Sequence, residues 1–310
     1  MINDLTVGSV PKQLIRFAVP FVLANALQFL YNIVDMIIVG QFVGPSGLSA
    51  VSIGGEFMHF FTFLAVGFAQ AGMVVLAQYI GAGQRQSISL VIGNMFSFIL
   101  GLSLVVTLIS VLFADRFAVL MNTPTESFQE AVDYCIVCGG GMFFVYGYNI
   151  VSHVMRGLGD SKRPLYFVAV SAVMNLILDL IFVARFRMGA RGAALATVIG
   201  QSFSFLVSMV YLYCQREAFG FDFKLQSYRP DKKILLTMIK LGIPICLQNT
   251  AISISMMYVT ACINTYGVIY SAVTGVSSKI AQLCNIVTAS LNAAGATMVD
   301  FGGWEMPIQY

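Results

Sequence analysis

The sequence predicts an all-α, polytopic membrane protein: one six-helix transmembrane bundle plus the first two helices of a second, repeated bundle. Three observations carry that expectation. The 310 residues are 58% hydrophobic and only 10% charged, with a mean hydropathy of +0.84, whereas a soluble domain is about 25% charged. Apolar runs near the roughly 20 residues that span a bilayer recur eight times, at about 14–39, 47–80, 88–114, 132–153, 164–186, 191–214, 235–263 and 268–299. The last two of these echo the first two in register.

The first run is too long for a cleavable signal, contains Asp35 and lacks a small-residue cleavage site. It is also broken by Asn25, Gln28, Asn32 and Asp35, spaced three, four and three. On a helix those four share one stripe. A carboxylate inside a membrane helix is costly and normally faces protein or a water-filled cavity, so the stripe reads as half of a cation site. Span two carries Glu56, with His59 one turn further on the same face. The loop after span three is acidic, with Asp115, Glu126, Glu130 and Asp133. Span four holds Cys135 and Cys138 at a spacing that can bind metal. No histidine or second cysteine pair completes such a site, and small apolar residues of a membrane helix are the expected role. In span five Asn175 and Asp179 lie four apart, and Ser171 extends their face by one turn. In span six Thr197 and Gln201 form a similar pair.

Spans seven and eight carry the echo. Phe17-Ala18-Val19-Pro20 resembles Leu241-Gly242-Ile243-Pro244, Ser49-Ala50-Val51 resembles Ser271-Ala272-Val273, and Ala71-Gly72 resembles Ala294-Gly295. The offsets are 224, 222 and 223, constant to within one residue over more than fifty. That order predicts a parallel repeat of a six-helix unit. The organisation expected is a six-helix lobe over 1–215, a linker over 216–234, two helices of a second lobe over 235–299, and an aberrant tail over 300–310. Under the same offsets Glu56 and Lys279 occupy equivalent positions, which suggests a pair between the lobes. The position matching Asp35 falls near Val259, so the cation site is expected only in the first lobe.

With the N-terminus inside, twelve Lys and Arg fall in inner segments and four in outer ones (Arg116, Arg185, Arg187, Arg191). The bias predicts a cytoplasmic N-terminus, in a multi-pass protein of the bacterial inner (plasma) membrane. Catalysis is not expected: there is no metal motif and no nucleophile–base pair. The turn Gly157-Leu158-Gly159-Asp160 is only superficially like a phosphate loop, since no strand precedes it. Its glycines fit a tight reversal.

The residues then carry a family resemblance. The first 299 resemble the multidrug and toxic compound extrusion (MATE) family of cation-coupled antiporters. The matching features are Pro20 and Asp35, Ala77-Gln78 with Gly81-Ala82-Gly83, Met155-Arg156-Gly157-Leu158-Gly159-Asp160 with Pro164, Asn175 with Asp179, and Gly192-Ala193-Ala194 with Ala196-Thr197. The resemblance implies twelve helices in two six-helix lobes, of which this chain would cover eight. It places Asp35, Asn175, Asp179 and Thr197 together as a site for Na⁺ or H⁺, supported by Asn25, Gln28, Asn32 and Gln201. It implies efflux of small cationic or amphipathic compounds by H⁺ or Na⁺ antiport. No cofactor beyond the coupling ion, no nucleic-acid partner, a lipid environment and a monomer are expected. Residues 298–307 resemble instead the start of glycine-cleavage aminomethyltransferases, so a truncated or mis-joined chain, with little transport of its own, is expected. The rivals are a flippase for lipid-linked precursors, which would need a more cationic cavity, and a non-transporting membrane fragment.

Overall fold

The computed structural model describes residues 10–84, 87–219, 221–222 and 224–280. The last nineteen residues of the eighth expected span, and the tail with Trp304, lie outside them. The chain is a succession of helices: α1 (Val10–Phe42), α2 (Pro45–Gly81), α3 (Ile88–Leu120), α4 (Phe128–Gly140), α5 (Met142–Gly157), α6 (Lys162–Asp179), α7 (Gly189–Cys214), α8 (Arg216–Phe219), α9 (Lys232–Asn264) and α10, helical over 268–280. Among the described residues six helices are long and apolar enough to cross a membrane, and the bent pair α4–α5 makes a seventh span.

Local chemistry fixes the ends. α2 opens with Pro45 at its first position, after Gly44 at φ 87°, where proline costs no hydrogen bond. Its 37 residues make a rod of about 55 Å, well beyond a hydrocarbon core of about 30 Å. α6 is capped by Asp160, whose Oδ1 accepts from the Lys162 and Arg163 backbone N–H groups at 3.2 and 3.3 Å. The Arg163 guanidinium pairs with the same carboxylate. Asp231 caps α9 in the same way, accepting from Lys233 and Ile234 N–H at 2.9 and 3.0 Å. Here the Gly159–Asp160 turn has the structural role its glycines suggest.

Two spans depart from the sequence expectation. The fourth, expected as continuous over 132–153, is two helices meeting at Gly141 with a 50° bend. Gly139, Gly140 and Gly141 lower helix propensity there, and a Cβ at Gly141 would press into Val198 of α7. The fifth runs α-helical only to Asp179, then takes a π-helical turn, Leu180–Arg185. Such turns occur often at functional sites.

α1 packs chiefly on α6, α6 on α7, and α2 on α3, α4, α5 and most extensively α9. One apolar core fills the space between α2, α3, α5 and α7, with Tyr146, Phe57, Met95 and Met155 fully enclosed. A smaller one, nearer the Gly44 end, gathers Met36, Val39, Ile53, Tyr134, Cys138, Val183 and Ala194. Leu104, Leu108 and Leu112 stand exposed at four-residue spacing on α3, the stripe expected of a lipid-facing helix.

The segment between α7 and α9 docks under α3. Asn94 Oδ1 accepts from Asp231 N–H at 2.7 Å, and Ser97 Oγ donates to the Tyr228 carbonyl at 2.7 Å. Phe221 and Tyr228 pack on Phe96. At the opposite end Asn264 Nδ2 donates to the Met121 carbonyl at 2.7 Å, and Asn122 Nδ2 donates to the Ala261 carbonyl at 3.2 Å. Ser49 Oγ bonds Ser271 Oγ at 2.7 Å and Ser127 Oγ at 3.1 Å, all three fully buried. α9 is therefore fastened to the first six spans at both ends, and α10 at its start.

Candidate functional site

Asp35 projects from α1 into the smaller core and is 6% exposed. Across from it Asn175 and Asp179 share the inner face of α6, at 2% and 0% exposure. Thr197 comes from α7, drawn close because Gly200 rests on α6: a Cβ at Gly200 would lie 3.3 Å from the Ser171 carbonyl and 3.5 Å from Asn175 Cβ. The Asn175 amide joins the group. In one orientation its Nδ2 donates to Thr197 Oγ1 at 3.4 Å. In the other, which suits its neighbours better, nitrogen donates to Asp179 Oδ2 at 3.1 Å and oxygen accepts from Thr197 N–H at 3.3 Å. The second orientation is the one assigned here, on the hydrogen-bond network.

Two oxygens remain. Asp35 Oδ1 and Asp179 Oδ1 are buried and form no hydrogen bond among the described residues. The two carboxyl groups interact electrostatically. Burying a carboxylate oxygen without a partner is expensive, and two interacting carboxylates cannot both stay ionised at low cost. A proton or a hard cation is the kind of partner such an oxygen takes.

Tyr134 of α4 forms part of the same site. It is 5% exposed and interacts electrostatically with both aspartates and with Cys138. Gly54 of α2 makes room for it: a Cβ there would overlap the ring. The sequence gives no local sign of this residue, because the contact crosses from another span. Tyr31 is different. It bonds both Gln28 and Gln201, and the three line a cavity with Tyr148, Ser171 and Ser204. The cavity holds about 10 Å³ of space, roughly one water molecule. Gln28, Tyr31 and Asp35 follow the same three-and-four spacing as the recognised stripe, so Tyr31 could have been found. Gln28 and Gln201 are thus brought together, while Asn25 and Asn32 are half-buried on α1 beside them.

Lys279 reaches α2 as the repeat offset suggests, but not onto Glu56. Its Nζ lies 3.2 Å from His59 Nε2, and among the described residues Glu56 and Lys279 form no ion pair within 4.0 Å. An ammonium only donates, so His59 accepts through Nε2 and carries its proton on Nδ1. Cys135 and Cys138 are buried free thiols. Arg156 lays its guanidinium over the Phe21 ring at 4.1 Å, tying α5 to α1.

The MatE family profile matches residues 20–181, which hold Asp35, Asn175 and Asp179. The chain belongs to the MatE family. Its members are transporters, not enzymes, and the chain is a multi-pass membrane protein. It is 30% identical over 305 residues to the probable multidrug resistance protein YpnP of Bacillus subtilis, covering 98% of this chain and 67% of that protein. Against a multidrug resistance MATE transporter solved in an outward-facing conformation it has a TM-score of 0.85 at 25% identity, covering 96% of this chain and 66% of the other. Against the inward-facing conformation of such a transporter the score is 0.79 at 26% identity, covering 86% and 60%. This MatE chain thus spans about two thirds of the length of the relatives it matches.

Proposed function

We propose that this chain forms the cation-binding lobe, 1–215, and the first helices of the second lobe, 235–299, of a multidrug antiporter. The coupling ion is H⁺ or Na⁺, bound between Asp35, Asn175, Asp179 and Thr197. The observation that carries the reading is the pair of buried oxygens, Asp35 Oδ1 and Asp179 Oδ1, without a hydrogen-bond partner among the described residues, on two helices that pack together. A proton or Na⁺ placed there relieves the repulsion between the carboxylates. The gain differs between arrangements of α1 on α6 that hold the oxygens nearer or further apart. Such a difference is what allows loading to shift a conformational equilibrium. Asp179 is the last α-helical residue before the π turn, so the backbone beside it has already left regular geometry. The substrates are small cationic or amphipathic compounds, carried outward across the bacterial inner membrane by a monomer whose N-terminus is cytoplasmic. A flippase for pyrophosphate-linked lipids is the weaker reading, since the polar centre is built on carboxylates.

The test is ²²Na⁺ binding and proton uptake by the chain in lipid nanodiscs, with Asp35→Asn and Asp179→Asn. Either substitution should reduce ion uptake at least tenfold, while Ser89→Ala, at the far end of the bundle, leaves it unchanged. Na⁺ binding that competes with protons would identify shared use of one site; proton uptake without Na⁺ binding would identify H⁺ coupling. Uptake undiminished in both aspartate variants would refute the site.

A further inference from the structure

The interface between α1, α2 and α10 holds a group that the cation site does not use. Gly275 of α10 rests on Ser52 of α2, and a Cβ there would come within 3.5 Å of Met36 Cε on α1. One turn further along α10, on the same face, stands Lys279. Its Nζ lies 4.0 Å from where a Gly55 Cβ would be, and 3.2 Å from His59 Nε2. The ammonium interacts electrostatically with Glu56 of α2 and Asp35 of α1, yet is locked to neither by an ion pair within 4.0 Å. A neutral imidazole lone pair holds it instead. Phe63, one turn beyond His59, lies with its ring centre 5.9 Å from the imidazole.

The geometry points to Lys279 as a tethered cation that competes with lipophilic organic cations for Glu56 at this interface. The inference rests on the reading that the substrates are cationic, and adds what they must displace. The ammonium has a four-carbon flexible stem and a weak, uncharged resting partner. Rotating the stem moves the charge between His59 and the carboxylates without breaking a buried ion pair. With the ammonium turned toward Asp35 and Glu56, an incoming cation meets like charge. With it resting on His59, the half-buried Glu56 and the aromatic face of α2 are left to that cation. Lys279 would therefore set the affinity and charge preference of the interface rather than build it.

Two probes of the same shape and opposite charge test this. Tetraphenylphosphonium and tetraphenylborate binding would be measured on the chain in nanodiscs, with protein-free discs subtracted. Lys279→Met keeps the stem and removes the charge; Lys279→Arg keeps the charge. Lys279→Met should bind the phosphonium about tenfold tighter, the factor that about 1.4 kcal/mol of like-charge contact makes, and bind the borate more weakly. Lys279→Arg should stay near wild type for both. A merely structural lysine would move the two probes in the same direction, and that result overturns the inference. Equal phosphonium affinity in wild type and Lys279→Met overturns it alone. Absence of phosphonium binding in both removes the substrate reading, and this inference with it.

Discussion

Gly54 and Gly55 are neighbours on α2 with opposite surroundings, and the difference yields a quantitative prediction. A methyl group at Gly54 would overlap the Tyr134 ring, which is enclosed beside Asp35 and Asp179. A methyl group at Gly55 would meet only Lys279 Nζ, at 4.0 Å. Both substitutions to alanine gain the same helix propensity, up to about 1 kcal/mol, so comparing them cancels that gain. What remains is the steric cost at Gly54. Forcing an extra methyl into a packed interior costs about 1–3 kcal/mol, here borne by a tyrosine held between two aspartates and Cys138. Gly54→Ala should therefore be less stable than Gly55→Ala by about that amount. At roughly 2–4 °C per kcal/mol for domains of 150–250 residues, the melting temperatures of the purified variants, taken at one scan rate, should differ by several degrees. Gly54→Ala should also weaken ion uptake, because the displaced ring interacts with both aspartates. Adding Tyr134→Leu should recover stability in Gly54→Ala and not in Gly55→Ala. Equal melting temperatures, or no recovery, would refute the claim that Gly54 is small so that Tyr134 can wall the site.

Asn264→Ala should lower stability by about 1–3 kcal/mol, since it leaves the buried Met121 carbonyl without its 2.7 Å donor; the melting temperature of the variant against wild type checks it. Asp222 provides a pH prediction outside the membrane spans. Hydrogen bonds from Ser89 first, then Ser227, and the nearby Lys224 pull its carboxyl down to about 2 from the ordinary 3.8. A depressed carboxylate contributes stability that is fully present above the unfolded value, and that is lost as pH falls from about 4 through about 2. Asp222→Asn should flatten this part of a melting-temperature profile between pH 2 and 5, by a small amount because the group is solvent-exposed; a profile parallel to wild type would argue against it.

The parts of the site legible in the sequence are those that helical periodicity dictates. Gln28 and Asp35, or Asn175 and Asp179, share a face because any helix puts residues separated by three, four or seven there. That α10 lies along α2 near Glu56 was legible from the repeat offset. The illegible parts depend on contacts between spans. Leu180–Arg185 contains no glycine or proline to announce a π turn, and its geometry comes from packing against α1 and α7. The glycines at 139–141 were visible, but a glycine run inside an apolar stretch does not distinguish tolerance from a bend. Tyr134 needed a neighbour on α2 to become part of the site. The contact of Lys279 with His59 was not legible, because charge alone favours Glu56; it depends on where the side chain can reach across the interface.

The arrangement of charge also argues against a purely structural role for the aspartates. A buried ion pair or a fully bonded carboxylate can fix the register of two helices. Among the described residues Asp35 and Asp179 each keep one oxygen unbonded, while Asn175 links Asp179 to Thr197 and Tyr134 interacts with both aspartates. Lys279 interacts with Asp35 but rests on His59. Structural glue would have closed each of these contacts, because every open one costs stability. In Asp35→Asn or Asp179→Asn the buried negative charge disappears while the shape stays nearly the same. If the carboxylates are kept for ion binding, those variants hold or gain stability as they lose ion uptake. If they are kept for packing, stability and uptake fall together. The same two proteins, melted and then assayed for uptake, separate the explanations.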